Sequence, residues 1–281
     1  MVVKPPDDEP SGIRFEQFVA HFEYRCQIRS LAPIRESETN VRYAILGDLH
    51  GNLEALEAAL KKLRTLGIDR YLQVGDVVGY GADPGPCIQA MRDLDALVVA
   101  GNHDWAVIGK LDVEFFNAYA RAAVAWTRSV LSADDRRWLE RLPLRRAVDD
   151  EVEIVHATVD QPEVFDYIQS YYEAARSMDE MRSAVCFNGH SHIPLAFVRS
   201  PQLAHTQSPR FTLPKRARAL INVGSVGQPR DEDPRCAFAV YDTADRSYAL
   251  YREEYDVRGA AAKIRRAGLP SVLAERLVHG Q

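Results

Sequence analysis

Short apolar runs, each breaking off into a small polar cluster, set the pattern of this chain. Tyr43-Ala44-Ile45-Leu46 leads into Asp48-Leu49-His50-Gly51-Asn52, and Tyr71-Leu72-Gln73-Val74 leads into Gly75-Asp76. Leu97-Val98-Val99-Ala100 leads into Gly101-Asn102-His103-Asp104, and Val152-Glu153-Ile154-Val155 into His156. Val185-Cys186-Phe187 leads into Gly189-His190-Ser191-His192. Short apolar runs bounded by turn residues predict buried strands. Leu53, Leu56, Leu60 and Leu63 then repeat at helical spacing, with Asn52 placed to cap the helix. A second helix is predicted near 86–94. The alternation implies parallel strands joined by crossover helices.

Residues 112–141 predict two further helices. Phe115, Phe116, Tyr119, Val124 and Trp126 supply the apolar face of the first, and Trp138 and Leu139 that of the second. Ser132 caps the second, with Asp135 three residues on. This insert directly follows the Asn102-His103 loop, a position from which it would roof a site there and set substrate choice. A polar loop from Asp160 to Ser170, with Tyr167, Tyr171 and Tyr172 nearby, precedes a helix over 172–183. Strands of a second sheet are expected near 184–188, 194–199, 211–213 and 218–222. A hairpin-like pair over 236–241 and 247–252 turns at Asp245-Arg246. The tail from Val257 to Gly280 reads as two amphipathic helices broken at Gly268-Leu269-Pro270. Residues 1–40 carry no clear element beyond a short helix near Phe15–Phe22. They read as a loosely ordered extension of one domain over 41–281, whose helical insert spans about 105–141.

Composition narrows the class. A chain of 281 residues, 46% hydrophobic and 27% charged, buries a substantial core. The net charge of −5 argues against nucleic acid and anionic membranes as partners. Cys26, Cys87, Cys186 and Cys236 form no Cys-x-x-Cys pair, so free thiols in a reducing, cytoplasmic setting are expected. No stretch approaches the roughly 20 apolar residues of a membrane span. Met1 to Gly12 is acidic and proline-bearing, unlike a secretory signal. Oligomeric state is not legible.

Within the polar clusters, Asp48, Asp76, Asn102 and five imidazoles make a donor set for two adjacent divalent metals with one histidine to spare. Asp48 and His50 are two apart, as are His190 and His192; on extended backbone such pairs point to one side. Taken singly, each cluster has a blander reading. His156 could be a hydrogen-bonded core histidine, and Gly101-Asn102-His103-Asp104 a plain turn. Gly79-Tyr80-Gly81 precedes prolines, not the helix of a dinucleotide loop. The bland readings would have to hold at every cluster at once. Imidazole, carboxylate and amide donors suit manganese, iron, zinc, cobalt or nickel, and the lack of thiolates argues against copper(I) or an iron–sulfur cluster.

Taken in order, these clusters resemble the motif set of the calcineurin-like metallophosphoesterases, from about residue 41 to about residue 230. Asn222-Val223-Gly224-Ser225-Val226-Gly227-Gln228-Pro229-Arg230-Asp231 is similar to the small bacterial phosphodiesterase branch. Ala157 stands where many relatives carry glycine. The resemblance implies an α/β fold, a four-layer α/β/β/α sandwich with a helical insert after the third strand. It implies a first metal on Asp48, His50, Asp76 and His192, and a second on Asp76, Asn102, His156 and His190, with Asp76 bridging. It further implies a bridging hydroxide as nucleophile and His103 as general acid, with Asp104 as its orienting partner. Asn102 would also stabilise the phosphoryl oxygens. Arg230 is either a phosphate contact, since guanidinium matches phosphate geometry, or a loop brace. The expected partner is a small phosphate-ester substrate, a phosphodiester first. Phosphomonoesters, phosphoproteins and dinucleoside polyphosphates are the alternatives. A nuclease of the same fold ranks behind them because the chain is net negative and has no long basic stripe, and a non-catalytic scaffold because His103 and every ligand position are present.

Overall fold

The structure, a computed structural model, describes residues 40–281. The helix expected near Phe15–Phe22 lies outside the described residues. The first half of the fold runs β1 (Arg42–Leu46), α1 (Leu53–Leu63), β2 (Arg70–Gln73), α2 (Pro84–Asp93), β3 (Leu97–Val98), α3 (Asn102–Ile108), α4 (Ala118–Val130) and α5 (Ala133–Glu140). There follow β4 (Arg145–Ala147), β5 (Val152–Val155), α6 (Tyr171–Asp179), β6 (Val185–Asn188), β7 (Leu195–Arg199), β8 (Leu203–Thr206), β9 (Arg210–Thr212) and β10 (Arg218–Asn222). The chain closes with β11 (Cys236–Asp242), β12 (Ser247–Glu253), α7 (Val257–Arg266) and α8 (Ser271–His279).

The strands form two six-stranded sheets, β3-β2-β1-β11-β12-β9 and β4-β5-β6-β10-β7-β8. β1, β2 and β3 are parallel, as the alternation predicts, and so are β5, β6 and β10. β11 returns antiparallel beside β1, with Tyr43 opposite Tyr241. The run near 211–213 therefore belongs not to the second sheet but to the edge of the first, through β12.

Alternating side chains sort the layers. Ala44 and Leu46 of β1 face the helices, packed with Leu56 of α1, Ile88 of α2, Ala106 of α3 and Leu139 of α5. Tyr43 and Ile45 face the other way, onto Ile154, Phe187 and Ile221 of the second sheet. The outer face of that sheet is covered by Ala174 and Met178 of α6. The result is the expected order, helices, sheet, sheet, helix. Burying each leucine-sized side chain of these layers stabilises the fold by about 1.5–3 kcal/mol. α7 and α8 pack on Tyr80 and on Ala120 and Ala123 of α4. Among the described residues no helix is long and apolar enough to cross a membrane.

Four elements depart from expectation. The Gly101-Asn102-His103-Asp104 cluster opens a helix, α3, and not a loop. The first insert helix starts at Ala118, capped by Asn117, so Phe115 and Phe116 precede it. β4 and β8 are short strands at the two edges of the second sheet. Asn52 and Ser132 cap α1 and α5 as their positions predict.

At the site end the sheets meet backbone to backbone. Ser225 Oγ and the Gly227 amide both donate to the Asp48 carbonyl, at 2.8 and 2.9 Å. A Cβ on Gly47 would fall 1.9 Å from the Gly224 carbonyl oxygen, so only glycine permits this approach. At the other end, Tyr241 Oη and Arg246 Nε both donate to Glu151 Oε1, at 2.5 and 2.8 Å.

Candidate metal centre

Asp48, His50, Asp76, His156, His190 and His192 are buried together where β1, β2, β5 and β6 end, beside the buried His103 of α3. Asn102, half-buried, joins them from the first turn of α3. Main-chain bonds hold the loops in register. The amides of Leu49 and His50 both donate to the Asp76 carbonyl at 3.0 Å, and Gly51 donates to Val77 at 3.0 Å. His50, Asp76, His190 and His192 all have positive φ, at 47°, 55°, 68° and 62°. A left-handed conformation costs an L-residue about 1–2 kcal/mol. Here that cost is offset by the surrounding hydrogen bonds, and it aims the side chains inward.

The geometry fixes the histidine tautomers. His50 Nδ1 lies 3.1 Å from the Val78 carbonyl, His156 Nδ1 2.9 Å from the Val74 carbonyl and His192 Nδ1 2.6 Å from the Gln228 carbonyl. A carbonyl only accepts, so each Nδ1 carries the proton and each Nε2 turns a bare lone pair inward. His50 Nε2 and His192 Nε2 then face each other at 3.1 Å. His156 Nε2 faces Asn102 Oδ1 at 3.0 Å and His190 Nδ1 at 3.1 Å. Asp48 Oδ1 lies 3.4 Å from His192 Nε2, and Asp76 Oδ2 lies 3.6 Å from His50 Nε2 and 3.5 Å from His156 Nε2.

Protons do not reconcile these lone pairs. Burial holds all five imidazoles below their ordinary pKa, helped at His50, His103 and His190 by neighbouring imidazoles and by the Arg230 charge. Burial, reinforced by the charges of Asp104 and Asp48, pushes the Asp76 carboxyl up. Neutral imidazoles and crowded carboxylates converging at these distances are a set of ligands for cations. Two groups bring donor atoms within 4.8 Å of one another, Asp48 with His50 and His192, and Asp48 with Asp76 and His156. The residues therefore fit divalent metal.

His103 stands beside this cluster. Its ring packs against Tyr80 at 4.4 Å, His50 at 4.9 Å and Phe116 at 5.1 Å between centroids, and its buried Nδ1 has no hydrogen-bond partner. Asp104 does not fill the role of orienting partner expected of it. Its Oδ2 accepts from the amides of Gly101 and Val77 at 3.0 and 3.3 Å, and its Oδ1 from Val78 at 3.2 Å. Burial pushes its carboxyl up to about 6 against the pull of those amides. Asp104 thus staples the loop after β2 to the start of α3. Arg230 Nη2 donates to Gln228 Oε1 at 3.1 Å, and its guanidinium sits 5.8 Å from the Tyr80 ring. Its buried Nε has no partner.

Of the aromatic residues lining the site, Phe116 and Tyr167 lie in the insert and the loop named from the sequence, whereas Tyr80 and Phe165 were not singled out as site residues. Tyr80 touches both His50 and His103 and carries Arg230. Phe165 packs on His156 at 5.9 Å, and Tyr167 stacks on His190 at 4.1 Å. The available signal for Tyr80 was its place directly after the Gly75-Asp76 cluster. His205 and His279, outside the clusters, are exposed.

Comparison with known proteins agrees with this geometry. Residues 41–246 match the model of the calcineurin-like phosphoesterase superfamily domain. An uncharacterised protein of Methanocaldococcus jannaschii, MJ0912, is 37% identical over 245 residues, covering 85% of this chain and 98% of its own. A crystal structure of a metallophosphoesterase from Sphaerobacter thermophilus superposes with a TM-score of 0.76 at 35% identity, covering 86% of this chain and 100% of that one. The hypothetical protein PH1004 of Pyrococcus horikoshii shares the fold, with a TM-score of 0.71 at 22% identity over 86% of this chain and 99% of its own. With the converging lone pairs and the matched domain pointing the same way, this chain belongs to the calcineurin-like phosphoesterase superfamily and is a metal-dependent phosphoesterase.

Proposed function

We propose that the protein hydrolyses phosphodiesters with two divalent ions. Asp48, His50, Asp76 and His192 would hold one, and Asp76, Asn102, His156 and His190 the other. The observation that carries this reading is the Asp76 Oδ2 atom, nearly equidistant from His50 Nε2 and His156 Nε2 at 3.6 and 3.5 Å. A carboxylate so placed serves two ligand sets at once. When bound, such ions polarise phosphoryl oxygens and lower the pKa of a bound water.

The chain's own groups supply the rest. His103 is the candidate general acid toward the leaving oxygen. Its buried imidazole is neutral before substrate arrives, and an anionic ester beside it raises its proton affinity. Protonation is thereby coupled to binding. Tyr80 and Phe116 hold the ring by packing, since no side chain bonds its Nδ1. Arg230, with its Nε unpartnered, is the candidate contact for a non-bridging phosphoryl oxygen. Charge favours an anionic ester. Two divalent ions held by the Asp48 and Asp76 carboxylates and neutral imidazoles would leave the centre positive.

The test is a paired assay on metal-stripped protein reconstituted with manganese, bis-p-nitrophenyl phosphate against p-nitrophenyl phosphate. Faster diester cleavage supports the reading. Faster monoester cleavage overturns it in favour of a phosphatase. His103→Ala should retain metal and lose rate; loss of metal instead would move His103 into the ligand set.

A further inference from the structure

Four histidines are candidate ligands, and three of them are held in one way. His50, His156 and His192 each turn Nδ1 to a main-chain carbonyl, at 3.1, 2.9 and 2.6 Å, and that bond fixes the ring from behind. His190 is the exception. Its Nδ1 is the atom that faces inward, 3.1 Å from His156 Nε2. To offer a cation that lone pair, the ring must carry its proton on Nε2. His190 Nε2 is buried and has no hydrogen-bond partner. No acceptor therefore fixes this imidazole.

Tyr167 lies against it instead. The phenol ring stacks on the imidazole at 4.1 Å between centroids, with 25° between the planes. Stacking of this kind has a preferred geometry, so it resists tilting of the ring. Tyr167 is itself held in place by its neighbours. Phe165 is buried and packs edge-on against His156 at 5.9 Å and Trp105 at 5.6 Å. Ile168 packs with Ala174 and Met178 of α6. The start of the loop is tied to the same helix, because the Val159 amide donates to Ser177 Oγ at 2.8 Å and Arg176 Nε to Asp160 Oδ2 at 3.1 Å. The loop from Asp160 to Ser170 thus sets one aromatic ring against His156 and another against His190, the two histidines of the second proposed ligand set. Among the described residues, none of its rings lies against His50 or His192, whose aromatic neighbours are Tyr80, His103 and one another.

We propose that Tyr167 is the positioning residue for His190, supplying by stacking the restraint that a carbonyl supplies to the other three histidines, and that it thereby governs the affinity of the second ion alone. The inference rests on the two-ion reading of the centre and extends it to a residue outside both ligand sets. The stacked ring keeps His190 Nδ1 aimed at the position beside His156 Nε2. Without it the imidazole turns about its side-chain bonds, and only the second set loses an aligned donor. The restraint comes from the ring and not from the hydroxyl, so phenylalanine should serve as well as tyrosine. Tyr167 is 45% exposed, so removing its ring opens no hole in the core.

The experiment has two arms, both on the full chain as wild type, Tyr167→Ala and Tyr167→Phe. In the first, metal-stripped protein is titrated with cobalt(II) and followed by calorimetry and visible absorption, so no turnover is needed. The wild type should bind two ions. In Tyr167→Ala one Kd should rise about tenfold or more, in the same step that Asn102→Ala weakens, and the other should stay within about twofold. Tyr167→Phe should match the wild type. Two unchanged Kd values in Tyr167→Ala, a rise in both or in the other step, or a Tyr167→Phe that binds as poorly as Tyr167→Ala overturns the proposal. In the second arm, the imidazoles of the metal-free proteins are compared by nitrogen-15 NMR at one pH. His190 should give one sharp set of ring signals in the wild type and Tyr167→Phe, and a broadened or doubled set in Tyr167→Ala, with His50 and His192 unchanged. Equally sharp His190 signals in Tyr167→Ala overturn the proposal, and so does broadening of all the site histidines together, which would make Tyr167 a support of the fold at large. A wild type that binds a single cobalt ion would be failure of the two-ion reading, with the NMR arm still deciding whether Tyr167 holds His190.

Discussion

Gly101 and Asp76 are packed so tightly that one added carbon on Gly101 would lie 2.1 Å from Asp76 Oδ1 and 2.4 Å from the Asp76 amide nitrogen. The contact exists because the His103 amide, two residues on, donates to that same Oδ1 at 2.8 Å and draws the start of α3 against the loop after β2. Gly101→Ala therefore forces apart the two segments that carry Asp76 and Asn102. Overpacking of this kind costs about 1–3 kcal/mol, or several degrees in Tm for a domain of this size. The expected result is a lower Tm by calorimetry and a lower metal content after dialysis. A variant with wild-type metal content would show that the contact does not position the ligands.

Asp76→Asn addresses the ligand role directly. The amide keeps the shape and one acceptor oxygen but loses the charge that the two proposed ligand sets would share. Loss of an outer partner of a metal ligand already costs about 10–100-fold. Loss of the shared carboxylate should exceed about 100-fold in rate and remove metal detectable by elemental analysis. The same logic gives the effect of a chelator on the wild type. Without cations the facing lone pairs of His50 and His192, at 3.1 Å, are unreconciled, so stripping metal should lower the Tm and its return should restore it. Two retained ions and full rate in Asp76→Asn would refute the bridging role.

Asp104→Asn separates bracing from catalysis. Both carboxylate oxygens accept main-chain amides, from Gly101 and Val77 on one side and Val78 on the other. An asparagine would turn one of those oxygens into a donor facing a donor, at a cost of about 1–3 kcal/mol. The urea midpoint should fall. The kcat of the folded, metal-loaded variant should fall far less than that of His103→Ala. An equal loss in kcat would restore Asp104 to the role of partner to His103.

The candidate ligands were legible as a cluster because each sits where an apolar run ends, and a sequence shows that boundary directly. Asp48, Asp76, His156 and His190 follow β1, β2, β5 and β6 within three residues. What was not legible depends on competition between local and distant forces. Gly101-Asn102-His103-Asp104 has the composition of a turn, yet the same residue types start helices, and Asp104, the third helical residue, accepts the Gly101 amide at 3.0 Å. Arg145-Arg146-Ala147 and Leu203-Ala204-His205-Thr206 are too short and too polar to read as strands; pairing along the sheet edges makes them so. β9 joins the first sheet only because β12 pairs with it, a contact no local pattern encodes. The aromatic lining was hidden for a related reason. Tyr80, Phe165 and Tyr167 reach the histidines from loops whose paths are set by the assembled site.

The insert offers the last prediction, because two adjacent phenylalanines have opposite surroundings. Phe115 is 94% exposed, whereas Phe116 is partly buried with its ring 5.1 Å from that of His103. The segment is fixed from both ends. Asn117 caps α4 just after it, and Arg128 of α4 donates from Nε to the carbonyls of Ala106 and Val107 in α3, each at 3.1 Å. Phe116 is thus held against the candidate acid by a bonded frame and is not a loose side chain nearby. Phe116→Ala leaves His103 with Tyr80 as its main aromatic support and opens space on the leaving-group side. Its rate loss should be largest for esters with poor leaving groups, where protonation of the leaving oxygen matters most, and small for p-nitrophenyl esters. Phe115→Ala should change neither. Steady-state kinetics on aryl esters of graded leaving-group pKa reads the difference as a steeper slope for Phe116→Ala alone. Parallel slopes for the wild type and both variants would mean that the insert does not bear on His103.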